Sequence, residues 1–95
     1  MPLNVHGGVE WDAQKADQNR RKHGVTFEEA ATVLAHPTVA IFDDGSGAGI
    51  LKAVGVSLRG RLLTVVHAPQ GERDRIISAR VSTREEQKLY MTRGA

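Results

Sequence analysis

The chain has 95 residues, 40% of them hydrophobic and 25% charged, a composition that predicts one globular domain over residues 1–95 with a single modest core. Thirteen Lys and Arg against eleven Asp and Glu leave a formal net charge of +2, an excess so small that its meaning depends on where the cations gather. There is no apolar run of membrane length, no basic-then-apolar leader and no cysteine, so a disulfide framework and a thiolate metal site are excluded, and the expectation is a chain without membrane span or signal peptide in a cytoplasmic location.

Met1 to Gly8 is predicted to be a loose arm, with Val9-Glu10-Trp11 a short strand leading into a helix from Asp12 to His23. Asp12 is a good N-cap, and Gly24 can turn left-handed at the other end without a Cβ penalty. Arg20, Arg21, Lys22 and His23 fill the last turn, where positive charge complements the helix dipole. The apolar face is thin (Ala13, Ala16), and Lys15, Asn19 and Lys22 or His23 recur at helical spacing on one polar face. A helix this polar is either well solvated or engaged with a ligand or partner. A second helix is predicted from Phe27 to Ala35, opened by a Thr26/Glu29 capping box, with Phe27, Ala30, Ala31 and Leu34 forming a core-facing stripe. It stops at His36-Pro37, which makes His36 a boundary residue.

From Thr38 the period changes. Thr38 to Phe42 is β-branched and aromatic, and Asp43 to Gly49 is a glycine-rich loop. Ile50 to Ser57 reads as a strand with Gly55 marking a bulge, and Leu58-Arg59-Gly60 turns into a buried strand, Arg61 to Ala68. Pro69 to Glu72 turns again into a strand from Arg73 to Val81, where alternation groups Ile77, Ala79 and Val81 on the core side. Thr83-Arg84-Glu85-Glu86 is another capping box, opening a short terminal helix to about Met91. The expected fold is α+β: two N-terminal helices, a central antiparallel sheet of about four strands, and a short C-terminal helix. The helices are expected on one sheet face and the other face open, carrying Arg80 and one of Arg61 or His67.

No metal-ligand spacing, nucleotide-binding glycine motif or nucleophile elbow is present. What remains is arginine, lysine and histidine. That inventory suits RNA cleavage without a metal: a base takes the 2′-OH proton, the oxygen attacks phosphorus, cations stabilise the dianionic transition state, and an acid protonates the 5′-oxygen. The same inventory suits plain nucleic-acid binding.

Glu10-Trp11-Asp12, Lys15, Asn19, Lys22-His23-Gly24-Val25-Thr26-Phe27-Glu28-Glu29-Ala30, Gly60-Arg61-Leu62-Leu63-Thr64-Val65-Val66 and Arg75-Ile76-Ile77-Ser78-Ala79-Arg80 together resemble the BrnT family of type II toxins, over roughly Val9 to Tyr90. The resemblance implies a RelE-like endoribonuclease toxin that inhibits translation and needs no cofactor. Its implied partners are RNA and a BrnA-like antitoxin, with operator DNA met only through the antitoxin complex and a dimer of toxin–antitoxin pairs as the assembly. It assigns Arg61 and Arg80 to phosphate and transition-state stabilisation, and Lys22 or His23 to proton transfer or substrate positioning, with Lys22 and His23 expected to face the same cleft as Arg80. Lys15, Arg20, Lys52, Arg75 and Arg84 are the further candidates for RNA contact. Relatives carry an acid–arginine pair at the start of the strand that here begins Gly49-Ile50-Leu51-Lys52. This chain has only Lys52 there, which bears on activity rather than fold. His67 is read as a satisfied strand histidine.

Overall fold

The computed structural model describes residues 3–6 and 8–93. Strands β1 (Leu3–His6) and β2 (Val9–Asp12) pair antiparallel. They are followed by helices α1 (Ala13–His23) and α2 (Phe27–Ala35), strands β3 (Ala40–Asp43), β4 (Leu51–Val56), β5 (Leu62–Gln70) and β6 (Arg73–Val81), and helix α3 (Arg84–Thr92). One six-stranded sheet runs in the order β1-β2-β6-β5-β4-β3. Two expectations are corrected. The loose arm is a strand over Leu3–His6, which supplies an edge partner for β2, while Met1, Pro2 and Gly7 lie outside the described residues. The sheet is also mixed, because β2 runs parallel to β6 through Val9↔Asp74 and Glu10↔Arg75. The β3–β6 meander is antiparallel throughout, as its short connections require.

Local chemistry sets the helix ends. Asp12 caps α1 by accepting from the amides of Gln14 at 2.7 Å and Lys15 at 3.3 Å, and Gly24 closes it at φ 69° with its N–H on the Arg20 carbonyl. At α2 only half of the expected box forms: the Thr26 hydroxyl accepts the Glu29 amide, but the Glu29 carboxylate turns elsewhere. At α3 both halves form between Thr83 and Glu86.

The helices occupy both sheet faces, not one. Trp11, Phe27, Ala30, Val33, Ala53, Leu63, Val65, Ile76 and Ala79 form the main core beneath α2, with Trp11 and Phe27 edge to face at 6.0 Å. Their neighbours of opposite parity, Val54, Val56 and Leu62, pack with Ala40 and Tyr90 of α3 on the reverse face. Strands apolar on both parities need both faces covered.

The strand irregularity falls on β6, not at Gly55. Val66 pairs with Ser78 and His67 with Ile76, so Ile77 is an extra residue and parity inverts there. Ile76 is therefore in the core at 1% exposure, whereas Ile77 is half-buried. Gly55 lies in regular register opposite Leu63; a Cβ there would sit 3.3 Å from Val33 Cγ1 and 3.4 Å from the Val39 backbone, so the glycine serves close approach of α2.

Candidate functional site

Helix α1 has too thin an apolar face to hold itself on the sheet by burial. It docks through Asn19, 7% exposed. The β2 ladder on β6 stops at Glu10↔Arg75, and further along that edge the Asn19 side chain takes the place of a strand. Its Oδ1 accepts the Ala79 N–H at 3.0 Å, and its Nδ2 donates to the carbonyls of Ala79 at 2.8 Å and Val25 at 3.0 Å. A cavity of about 260 Å³ opens between α1 and the bulged segment of β6, lined by Lys15, Gln18, Asn19, Lys22, His23, Ile77 and Ser78. The lining residues carry two ammonium groups, an imidazole, the Gln18 amide and a hydroxyl, the Asn19 amide being spent on the backbone, and no carboxylate lines the cavity. Such a lining suits an anion. Helical spacing puts Lys15, Asn19 and Lys22 or His23 on one face, and all four line the cavity.

Arg61 approaches the same helix end from the β4–β5 hairpin. Its Nη2 donates to the Gly24 carbonyl at 3.2 Å, next to His23, and its Nε and Nη2 grip Glu29 of α2 at 3.0 and 2.5 Å. Glu29 is buried and also accepts the Ser57 hydroxyl at 2.7 Å. The Arg61 hydrogen bond, with help from Ser57, holds the Glu29 carboxyl below its ordinary range and raises the Arg61 guanidinium in return. Glu29 is thus a fixed counter-ion rather than a proton acceptor near neutral pH.

Arg80 lies on the reverse face. It leaves β6 on the same side as Ser78, but its guanidinium forms a fork with Glu86 of α3, Nη1 to Oε1 at 2.6 Å and Nη2 to Oε2 at 2.8 Å. Glu86, 4% exposed, also accepts from Thr64 Oγ1 and the Thr83 amide, both at 2.9 Å, and from Lys52 Nζ at 3.3 Å. Arg80 foremost, then the Thr83 amide and Thr64, drive the Glu86 carboxyl far below the usual carboxylate range.

Of the sequence-predicted site residues, Lys15, Lys22 and His23 share one cavity, and Arg61 borders their helix end. The expectation that Lys22 and His23 face the same cleft as Arg80 is not met: Arg80 and Lys52 meet instead at Glu86, outside the cavity lining, with the sheet between them and the Arg61–Glu29 pair. Among the RNA-contact candidates, Arg75 is held by the nearly buried Glu10 at 3.0 and 2.6 Å. Arg20 shares Asp17 with Arg21, and Arg84 is exposed at the start of α3. His67 is 1% exposed, bonds Asp74 through Nδ1 at 3.1 Å, and lies outside the cavity lining. The sheet face expected to be open is covered by α3. Sequence reasoning missed Glu29 and Glu86 as the groups that hold the two arginines. The one available signal was their shared place as third residue of a Thr-led helix start, and that is explained by capping alone. Among the described residues, no group of three or more His, Asp or Glu is placed to hold a metal ion, and no helix is long and apolar enough to cross a membrane.

Residues 11–86 match the family described as ribonuclease toxin, BrnT, of type II toxin–antitoxin systems. The fold is similar to the 1.1 Å crystal structure of the Brucella abortus ribonuclease toxin BrnT, with a TM-score of 0.64 and 26% sequence identity over 78% of this chain and 94% of that one. No curated protein matches significantly.

Proposed function

Because this chain belongs to the BrnT family of ribonuclease toxins of type II toxin–antitoxin systems, we propose that it cleaves RNA endonucleolytically at the α1–β6 cavity, without a metal, and thereby inhibits translation in the cytoplasm. The observation that carries this is the cavity's lining: Lys15, Lys22, His23 and Ser78 converge with no carboxylate among them. A phosphodiester placed there meets two ammonium groups. His23 takes the 2′-OH proton, the 2′-oxygen attacks phosphorus, and the bond to the 5′-oxygen breaks as that oxygen gains a proton from Lys22 or from water. Arg61, fixed by Glu29 beside Gly24, adds positive charge at the same helix end, where transition-state charge develops. Glu29 and Glu86 are both held ionised by their arginines, which leaves proton transfer to the groups on α1. An antitoxin of the BrnA kind neutralises the protein by covering this cationic lining, and operator DNA is met through that complex.

Purified protein should therefore cut single-stranded RNA in the presence of EDTA, leaving cyclic phosphate and 5′-hydroxyl ends. His23→Ala should lower kcat by about 100-fold or more with an unchanged unfolding midpoint. RNA left intact by the parent chain, with or without added Mg²⁺, overturns the activity. Undiminished cleavage by His23→Ala overturns the site.

A second reading has its own support. Both arginines assigned to phosphate have their forks engaged by buried glutamates, and Lys52, standing where relatives have an acid–arginine pair, is likewise held by Glu86. A chain so arranged binds RNA or its protein partner with weakened catalysis; binding without cleavage at any enzyme concentration would establish it.

A further inference from the structure

The cleavage cavity does not account for the most exposed cations. At the α1–α2 corner Arg20, Arg21 and Lys22 are exposed, and the β4–β5 hairpin, tied to the Gly24 carbonyl by Arg61, carries Arg59 with its side chain 70% exposed. Leu58, at the hairpin tip, is 85% exposed, the most exposed large apolar side chain among the described residues. The tip is rigidly held nonetheless. The Leu58 amide donates to Thr32 Oγ1 of α2 at 2.9 Å, and Ser57 Oγ accepts the amides of Arg59 at 3.2 Å and Arg61 at 3.4 Å while donating to Glu29. Arg61 then ties the hairpin to the α1 end through the Gly24 carbonyl. Those bonds fix the backbone that carries Leu58 and leave its side chain in solvent.

We propose that the α1 C-terminal turn and the Leu58–Arg59 tip form a second RNA subsite, which takes the single strand as it leaves the cavity. Lys22 belongs to both: it lines the cavity and stands in the basic turn. From Lys15 to Lys22 the helix advances about 10 Å, so one strand laid along α1 reaches from the cavity to the corner. At the corner four exposed cations face two exposed carboxylates, Asp17 and Glu28. Asp17 is already shared between Arg20 at 3.0 Å and Arg21 at 3.1 Å, and Arg59 lies 3.9 Å from Glu29, which Arg61 has largely neutralised. The exposed Asp17 pairs are weak, and the Arg59 contact is long, so a phosphate exchanges for them readily. Arg59 offers a planar fork to a phosphate or a flat face to a base, and Leu58 beside it offers apolar surface to an unstacked base. Alternating phosphate and base chemistry is what a single strand requires.

This inference rests on the cavity being the cleavage site, and its test separates the two. Binding of a 2′-O-methyl single-stranded RNA, which lacks the attacking hydroxyl, would be followed by fluorescence anisotropy over a salt series. Arg59→Ala should weaken binding several-fold and make the slope of log K against log salt shallower by roughly 0.7, the loss of one phosphate contact on a single strand. Leu58→Ser should weaken binding with the slope unchanged. Arg73→Ala, which removes an exposed arginine from the β5–β6 turn, should leave both nearly as they are. The subsite is overturned if the hairpin variants bind like the parent, or if Arg73→Ala matches Arg59→Ala, which would reduce the effect to net charge. It is also overturned if the hairpin variants weaken only the complex with the antitoxin, which would assign the tip to a protein partner. Hairpin-dependent binding by a chain that cleaves nothing refutes the cleavage reading and leaves the subsite standing; cleavage with hairpin-independent binding does the reverse.

Discussion

Truncating Glu86 to alanine removes the group on which the reverse face of the sheet depends. The carboxylate accepts from Arg80 at 2.6 and 2.8 Å, from Thr64 and the Thr83 amide at 2.9 Å, and from Lys52 at 3.3 Å. Its loss leaves Arg80 without a carboxylate, opens the α3 capping box and strips Thr64 of one partner. Removing one member of a buried ion pair costs about 3–5 kcal/mol when the charge left behind is buried; Arg80 keeps 34% of its side chain in solvent, which discounts that, and the lost cap of about 1 kcal/mol shares atoms with it, so the net loss is about 2–3 kcal/mol. For a domain of this size that lowers the thermal midpoint by roughly 10–20 °C. Circular dichroism on Glu86→Ala, by heat and by urea, measures it. The pH dependence has a definite sign. Glu86 has a lower pKa folded than unfolded, so its contribution is complete at neutral pH and is lost progressively as pH falls below about 4.5 toward its folded value. The parent and variant should therefore converge in acid. A variant within about 1 kcal/mol of the parent at pH 7, or a gap that stays constant down to pH 3, refutes the reasoning. The outcome also bears on Arg80: an Arg80→Ala chain that stops cleaving RNA has lost catalysis only if its fold survives the stranding of Glu86.

Asn19→Leu should cost about 2–3 kcal/mol in urea unfolding, because the Ala79 amide loses its partner and the Ala79 and Val25 carbonyls lose theirs; a neutral result would mean α1 is held by something other than the amide. Gly24→Ala should cost about 1–2 kcal/mol through its left-handed φ of 69° alone, since a Cβ there meets nothing within 4 Å. Gly24→Asn should recover part of that, and a steric loss much beyond 2 kcal/mol would contradict the open space.

Much of the local structure was legible in the sequence because it is set by neighbours along the chain. Asp12 and Gly24 bracket α1, the Phe27–Ala30–Ala31–Leu34 stripe makes α2, and the hairpin residues set the meander. Those features depend on capping, periodicity and turn chemistry within a few residues. The mixed sheet was not legible: nothing in Leu3–His6 says that it will pair with β2, or in Val9–Asp12 that it will run parallel to a strand some 65 residues away. The face of Ile77 was misread because a single extra residue inverts parity, and a bulge leaves no mark in composition.

The sequence by itself determined where the basic groups of α1 would gather, since 3.6 residues per turn bring Lys15, Asn19, Lys22 and His23 to one side. It could not determine which arginines stay available, because that depends on which carboxylate each one meets. Glu29 and Glu86 come from helices on opposite sides of the sheet, separated from their arginines by 32 and 6 residues. Only packing of α2 and α3 on the two faces brings them within hydrogen-bond distance. A buried carboxylate claims the nearest guanidinium because leaving it unpaired costs more than the pairing restricts. That choice, made in three dimensions, holds the Arg80 guanidinium at α3 and Arg61 at the end of the helix that carries His23.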